Sequence, residues 1–207
     1  MNRPGHRQEI PPPSAALKGI FDMTGWNERY SARDPSQPRE ASALLKSLLP
    51  LLPTGRALDL ACGEGRNALY LAEKGYSVDA IDSSLVAIER NRKFAEERQL
   101  KINYIHEDLE TISLPPDTYD LILNFYYLQR PLVPSIESAL KKGGVVLFET
   151  YTTEQREIGP QRNPDYLLGP NELLAMFKNL HLFFYREGIF DEDGRKAIAS
   201  LAAKRVA

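Results

Sequence analysis

Residues 58–67 read LDLACGEGRN. The apolar residues running into Asp59 and Leu60, the Gly63-Glu64-Gly65 turn and the helix-forming text from Arg66 predict a buried strand, a tight turn and a helix start. Glycines are needed in such a turn where the backbone takes conformations a side chain forbids, or must approach a ligand closely enough for its amides to donate. Taken alone, this text also fits an ordinary strand-to-helix turn. The residues around it decide between the two.

Downstream the same grammar repeats. The helix from Arg66 to about Lys74 presents Ala68, Leu69, Leu71 and Ala72 to a core, with Gly75 as its left-handed stop. A second strand at residues 78–81 ends in Asp82, and Ser83 or Ser84 caps a helix reaching about Arg98, with Val86, Ile88 and Phe94 toward the sheet. Ile102, Tyr104 and His106 lie in a third strand leading to Asp108. Residues 119–124 form a fourth strand, and a helix capped by Ser135 ends near Lys141-Lys142-Gly143. Residues 145–148 form a fifth. A long loop over 149–169 carries Tyr151, Arg156, Arg162 and Tyr166, a length that in compact domains usually serves function. A short helix from Pro170 or Asn171 and a hairpin of 182–190 with 196–203, turning at Asp193-Gly194, complete the chain.

Upstream, residues 1–16 with Pro11, Pro12 and Pro13 lack the apolar surface that offsets ordering entropy, and are expected to be a flexible tail before one domain over 17–207. In IFDMTGWNERY (20–30), Phe21, Trp26 and Tyr30 recur at helical intervals, which suits a helix packed on the sheet and equally a lid over a ligand. Pro35 and Pro38 mark a loop. Leu44, Leu45, Leu48 and Leu49 form the core face of a helix ending near Pro50.

The chain has 207 residues, 43% of them hydrophobic, which is enough for one core and too little for two large domains. A net charge of −2 gives no general reason to bind nucleic acid or an anionic membrane. No apolar run reaches the roughly 20 residues of a membrane helix, so a cytoplasmic location is expected. The single cysteine, Cys62, offers neither an internal disulfide nor a zinc cluster, and no metal site is expected.

Alternating strands and helices predict an α/β fold with a largely parallel sheet, whose ligands bind at the carboxyl ends of the strands where the order reverses. The turn at 61–65, Asp82, Asp108 and Asn124 all fall on that edge. Asp82, 19 residues after Gly63, is placed to grip a ribose diol, and Asp108 to accept from an exocyclic amino group such as adenine offers. A nicotinamide dinucleotide is one candidate, because Ala68 is an allowed third position of G-x-G-x-x-G/A. Glu64 is less welcome beside a diphosphate than beside a ligand bearing a carboxylate and an ammonium.

LDLACGEGRN, VDAIDSS, HEDLE and DLILNFYYL resemble the successive motifs of class I S-adenosylmethionine-dependent methyltransferases. WNERY and the GRN continuation resemble, more narrowly, the tellurite-resistance and thiopurine-type small-molecule branch. This resemblance spans residues 21–207 and implies a Rossmann-like three-layer sandwich, with a seven-stranded sheet whose C-terminal hairpin holds the antiparallel strand. Carried over by position, Gly63 and Gly65 would surround the methionine part of S-adenosylmethionine, while Asp59 and the Ala61 backbone would face its amino group. Asp82 would bind the ribose, Ser83 would lie beside the adenine, and Asp108 and Leu109 would read its edge. Asn124 would close the methionine side, and Trp26 and Tyr30 would cap the pocket. Ala61 departs from the family's usual glycine.

Methyl transfer from a sulfonium needs alignment and desolvation more than a protein nucleophile, and no catalytic triad is evident. His106 and His181 fall in strands and are read as structural. Asn124-Phe125-Tyr126-Tyr127 lacks both prolines of the NPPY-type motif of nucleic-acid amino methylases. Tyr127, Arg130 and Tyr151 are candidates to position an acceptor. Arg66, Arg130, Arg156 and Arg162 are either solvated or bind an anion. The leading expectation is transfer to a small molecule, anionic or soft, such as an oxyanion or thiol. Methylation of RNA or protein, a noncatalytic cofactor-binding module and a dehydrogenase remain alternatives.

Overall fold

The computed structural model describes residues 23–34, 39–159, 163–191 and 194–206. The expected tail, Phe21, Pro35, Pro38, Arg162 and Asp193 lie outside them. In chain order the elements are α1 (Met23–Ser31), α2 (Ala43–Leu48), β1 (Arg56–Leu60), α3 (Arg66–Glu73), β2 (Ser77–Asp82), α4 (Leu85–Glu97), β3 (Ile102–His106), β4 (Tyr119–Phe125), α5 (Val133–Ala139), β5 (Leu140–Tyr151), α6 (Gln155–Ile158), α7 (Glu172–Met176), β6 (His181–Phe190) and β7 (Lys196–Lys204).

The strands form a seven-stranded sheet in the order β3-β2-β1-β4-β5-β7-β6. Pairing is parallel from β3 through β5, and β7 runs antiparallel to both its neighbours. The order reverses between β1 and β4, the crevice where open α/β sheets bind ligands. Leu60 pairs with Ile81 and with Asn124, and Asp82 pairs with His106, so the expected ligand-binding residues end on one edge.

Period-two alternation sorts the strands onto two cores. Ala57, Val78, Leu121, Leu123 and Leu147 pack with Leu44, Leu45 and Leu48 of α2 and with Ala68 and Leu71 of α3. Leu58, Leu60, Ile122 and Phe148 face the other way, onto Ile136 of α5 and Leu173 of α7. Central strands apolar on both faces are what a doubly covered parallel sheet requires.

Several boundaries differ from the sequence reading. Ser135 lies inside α5, which a 3-10 turn at Arg130–Leu132 leads into, and its hydroxyl accepts from the Leu114 amide at 3.4 Å. Strand β5 starts at Leu140 rather than Val145, because the Lys141-Lys142-Gly143-Gly144 text is absorbed as an irregularity in the β4–β5 register. A side chain at Gly144 would come within 2.8 Å of the Tyr119 carbonyl, so a glycine is needed there. Val86 is half-buried, and its amide meets Asn27 of α1. The expected long loop instead carries the end of β5, α6, a 3-10 turn at Pro164–Tyr166 and a Thr152–Leu168 bridge.

Candidate active site

The glycine turn leaves β1 through three left-handed residues: Ala61 at φ 51°, Gly63 at 56° and Gly65 at 79°. Gly63 donates to Asp82 Oδ2 at 2.7 Å, and Ser84 donates to Asp82 Oδ1 at 2.8 Å. One buried carboxylate therefore fixes both the turn and the start of α4, whose Ser84 hydroxyl caps it by accepting from the Ala87 amide at 3.3 Å. Burial raises the Asp82 pKa, while the Ser84 and Gly63 amides pull it back down. Each carboxylate oxygen keeps a second lone pair for a hydroxyl donor.

Gly65 needs its missing side chain for packing as well as for conformation. A Cβ there would lie 1.8 Å from Asn91 Nδ2. Ala61 bears the strain that a glycine would not, and replacing it with glycine is expected to stabilise the protein by about 1 kcal/mol, measured by urea unfolding.

Asp59 is 2% exposed, and its Oδ2 has no hydrogen-bond partner. Burial raises its pKa from 3.8 to about 7, against the nearby Arg66 charge and the Ala68 amide. Because the folded value exceeds the unfolded one, this group stabilises the fold at low pH, and that contribution is lost as pH rises from about 4 to about 7.

Asp108 begins the turn after β3, its Oδ1 accepting from the Glu110 amide at 2.9 Å, and Leu109 beside it is buried in the core. Asn124 is 1% exposed and donates to the Tyr127 carbonyl at 2.7 Å, which folds the segment after β4 back over the edge. His106 Nε2 lies 3.0 Å from the Ser83 carbonyl.

Helix α1 lies against the start of α4. Asn27 Oδ1 accepts from the Ser84 hydroxyl at 2.7 Å, and Tyr30 reaches over the turn so closely that a Cβ on Gly63 would be 2.5 Å from its hydroxyl. Burial raises the Tyr30 pKa, with Asp82 adding to the effect. Trp26 and Tyr30 keep their rings 6.1 Å apart. The aromatic helix thus covers the glycine turn.

Two acceptor candidates have partners within the chain. Arg130 is committed: its guanidinium pairs with Glu172 at 2.5 and 3.0 Å and donates to the carbonyls of Asp165 and Leu167, stapling the segment before α7. Glu172 raises the Arg130 pKa and is itself lowered by the pair. Tyr127 donates to Gln129 at 2.8 Å, and its pKa is raised by burial and by Glu110, Asp108 and Asp82. Tyr151 does face the β4–β5 edge, its ring 4.9 Å from that of Tyr126. Arg156 is exposed on α6.

Of the groups around Tyr126, sequence reasoning named Arg66 and Tyr151 and missed Glu149, Arg186, Lys196 and Ser200. Tyr126 follows β4 at φ 61° and donates to Glu149 Oε1 at 2.8 Å. Glu149 is 2% exposed; its Oε2 accepts from Ser200 at 2.8 Å and faces Arg186 at 3.5 Å. Lys196 donates to the Tyr126 hydroxyl at 3.3 Å, and Arg66 lies 5.5 Å from the ring centre. These groups come from α3 and from three strands, so no local spacing reveals them. Surface hollows of about 540 and 500 Å³ lie beside β3 and between α2 and α3, the second lined in part by Arg66. Among the described residues no group of His, Cys, Asp and Glu could hold a metal, and no helix is long and apolar enough to cross a membrane.

Residues 57–144 match the family model described as a methyltransferase domain. The chain is similar to a probable S-adenosyl-L-methionine-dependent methyltransferase, TehB, of Haemophilus influenzae, at 28% identity over 153 residues, covering 68% of this chain and 53% of that protein. It is also similar to a malonyl-[acyl-carrier protein] O-methyltransferase of Salmonella typhimurium, 31% identical over 59% of this chain and 49% of that protein. A ubiquinone biosynthesis O-methyltransferase of Coxiella burnetii is 30% identical over 45% of this chain and 42% of that protein. The chain thus spans about half the length of these curated relatives. The crystal structure of Haemophilus influenzae TehB superimposes with a TM-score of 0.70 at 20% identity, over 88% of this chain and 66% of that one. Residues 57–144 thus match a methyltransferase domain, the chain is similar to S-adenosyl-L-methionine-dependent and O-methyltransferases over part of their length, and the superposition shows that it shares the fold of TehB.

Proposed function

We propose that this protein is an enzyme that transfers the methyl group of S-adenosylmethionine to a small, anionic nucleophile. The observation that carries the cofactor half is the orphaned, buried Asp59 oxygen beside the glycine turn, one strand away from the Asp82 carboxylate. An ammonium group satisfies the first and a ribose diol the second, so the residues present fit an amino-acid nucleoside. Asp59 and the turn would hold the methionine part, Asp82 the ribose, and Ser83, Asp108 and Leu109 the adenine. Asn124 would close the methionine side, and Trp26 and Tyr30 would cover it. When bound, S-adenosylmethionine supplies a methyl group on a positively charged sulfur. The chain's own part is to orient, to exclude water and to align the acceptor, which in well-ordered systems is worth roughly 7–11 kcal/mol.

An ammonium on Asp59 favours its ionised form. At pH 6 binding is therefore expected to release close to one proton, read as a dependence of calorimetric enthalpy on buffer ionisation enthalpy and absent in Asp59→Asn.

The acceptor half rests on Tyr126. Arg66 and Lys196 lie 5.5 and 5.2 Å from its ring centre, and Arg186 stands behind Glu149. The basic side chains gathered around Tyr126 and Glu149 make acceptors carrying negative charge the first to test. Two relatives are named O-methyltransferases, which supports oxygen among the nucleophiles to test. The test is transfer of labelled methyl to matched pairs of small carboxylates, phenols, thiols or oxyanions and their neutral analogues. Product from the anions, reduced at least tenfold in Arg66→Gln, supports the proposal; label found only in RNA or protein of an extract overturns it.

A further inference from the structure

Glu64 interrupts the glycine turn, yet its carboxylate points away from the strand ends into two arginines. Arg90 of α4 meets Glu64 Oε1 at 2.8 Å, and Arg33, just beyond α1, meets Oε2 at 3.6 Å. The Glu64 and Arg90 side chains are only 13% and 16% exposed, so water screens this pair far less than a surface pair. The same Arg90 nitrogen donates to the Tyr30 carbonyl, and its other terminal nitrogen donates to the Arg33 carbonyl at 3.4 Å. These carbonyls lie in and just beyond the last turn of α1, where the helix dipole favours a cation. Arg33 closes the set by lying 4.8 Å over the Tyr30 ring.

One carboxylate inside the turn is therefore joined, through two guanidiniums, to the end of the helix that carries Trp26 and Tyr30. Gly63 and Gly65 hold the turn left-handed on both sides of Glu64, which fixes where its side chain goes. Tyr30 stands so close above Gly63 that a Cβ there would lie 2.5 Å from its hydroxyl, so the ring covers the turn. We propose that Glu64, Arg90 and Arg33 are positioning residues for the cofactor: they clamp α1 to the glycine turn and set how long the cofactor stays bound, without touching it. This rests on the cofactor reading above and adds to it a second role for the turn.

Trp26 is the single tryptophan of the chain and lies on α1, so its fluorescence reports the helix. The experiment is stopped-flow displacement of S-adenosylhomocysteine from the full chain, native and with Glu64→Gln, Arg90→Gln, both together, and the more exposed Arg33→Gln, at about 0.02 and 0.5 M salt. Release is expected to be about tenfold faster in each of the first two, well short of the product of the two effects in the double variant, and about threefold faster in Arg33→Gln. Because the pair is shielded, salt is expected to change these ratios little. Unchanged release in Arg33→Gln and Glu64→Gln, or effects that simply add in the double variant, overturns the clamp. If the native chain binds no S-adenosylhomocysteine by calorimetry, the cofactor reading fails instead.

Discussion

Alanine at Gly65 is expected to destabilise the protein by about 3 kcal/mol and lower its melting temperature by roughly 10 °C. The added Cβ would stand 1.8 Å from Nδ2 and 2.0 Å from Cγ of Asn91. Asn91 cannot swing away, since it is fully buried and its Oδ1 accepts from the Tyr104 hydroxyl at 3.0 Å. The backbone adds its own cost, because φ is +79° there. Gly75 is the control. It too is left-handed, at +85°, but has nothing within 4 Å of a built Cβ, so Gly75→Ala should cost only the conformational part, about 1 kcal/mol. Equal losses at the two positions would mean that the α4 contact is not what makes Gly65 necessary.

The second large effect is at Asp82. Removing its carboxylate in Asp82→Ala leaves the Gly63 and Ser84 amides buried without acceptors and takes away the group assigned to the ribose. Stability should fall by about 2–4 kcal/mol, and the dissociation constant of S-adenosylhomocysteine should rise about 100-fold, the equivalent of one or two charge-assisted hydrogen bonds. Asp82→Asn separates the two roles. It keeps one amide acceptor but turns a donor toward the other, so it should recover part of the stability and little of the binding. A protein that is destabilised yet binds at native strength would restrict Asp82 to holding the turn.

Much of this edge was legible in the sequence, because each piece is local. The 58–67 stretch fixes strand, turn and helix by its own chemistry, and parallel pairing then carries Asp82, Asp108 and Asn124 to the same end. Ser84 as a cap and Gly75 as a stop were readable for the same reason. Hidden were the partnerships between distant residues. Arg130 was a candidate to position an acceptor, and its pairing with Glu172, 42 residues on, could not be read from either segment. Glu64 was expected to repel a diphosphate, whereas Arg90, 26 residues away, and Arg33 neutralise it, so its charge does not discriminate between ligands. Glu149 was passed over because its partners arrive from β4, β6 and β7, and periodicity shows only that the strand is buried. The start of β5 was missed for a related reason: Lys-Lys-Gly-Gly reads as a loop until β4 offers it a ladder.

The central claim is that this edge holds S-adenosylmethionine rather than a dinucleotide, and the most direct test is calorimetric titration of the full native chain with S-adenosylmethionine and, separately, with NADH. Binding of S-adenosylmethionine at micromolar strength with no heat from NADH is the predicted result. Tight NADH binding by folded protein that ignores S-adenosylmethionine would contradict it.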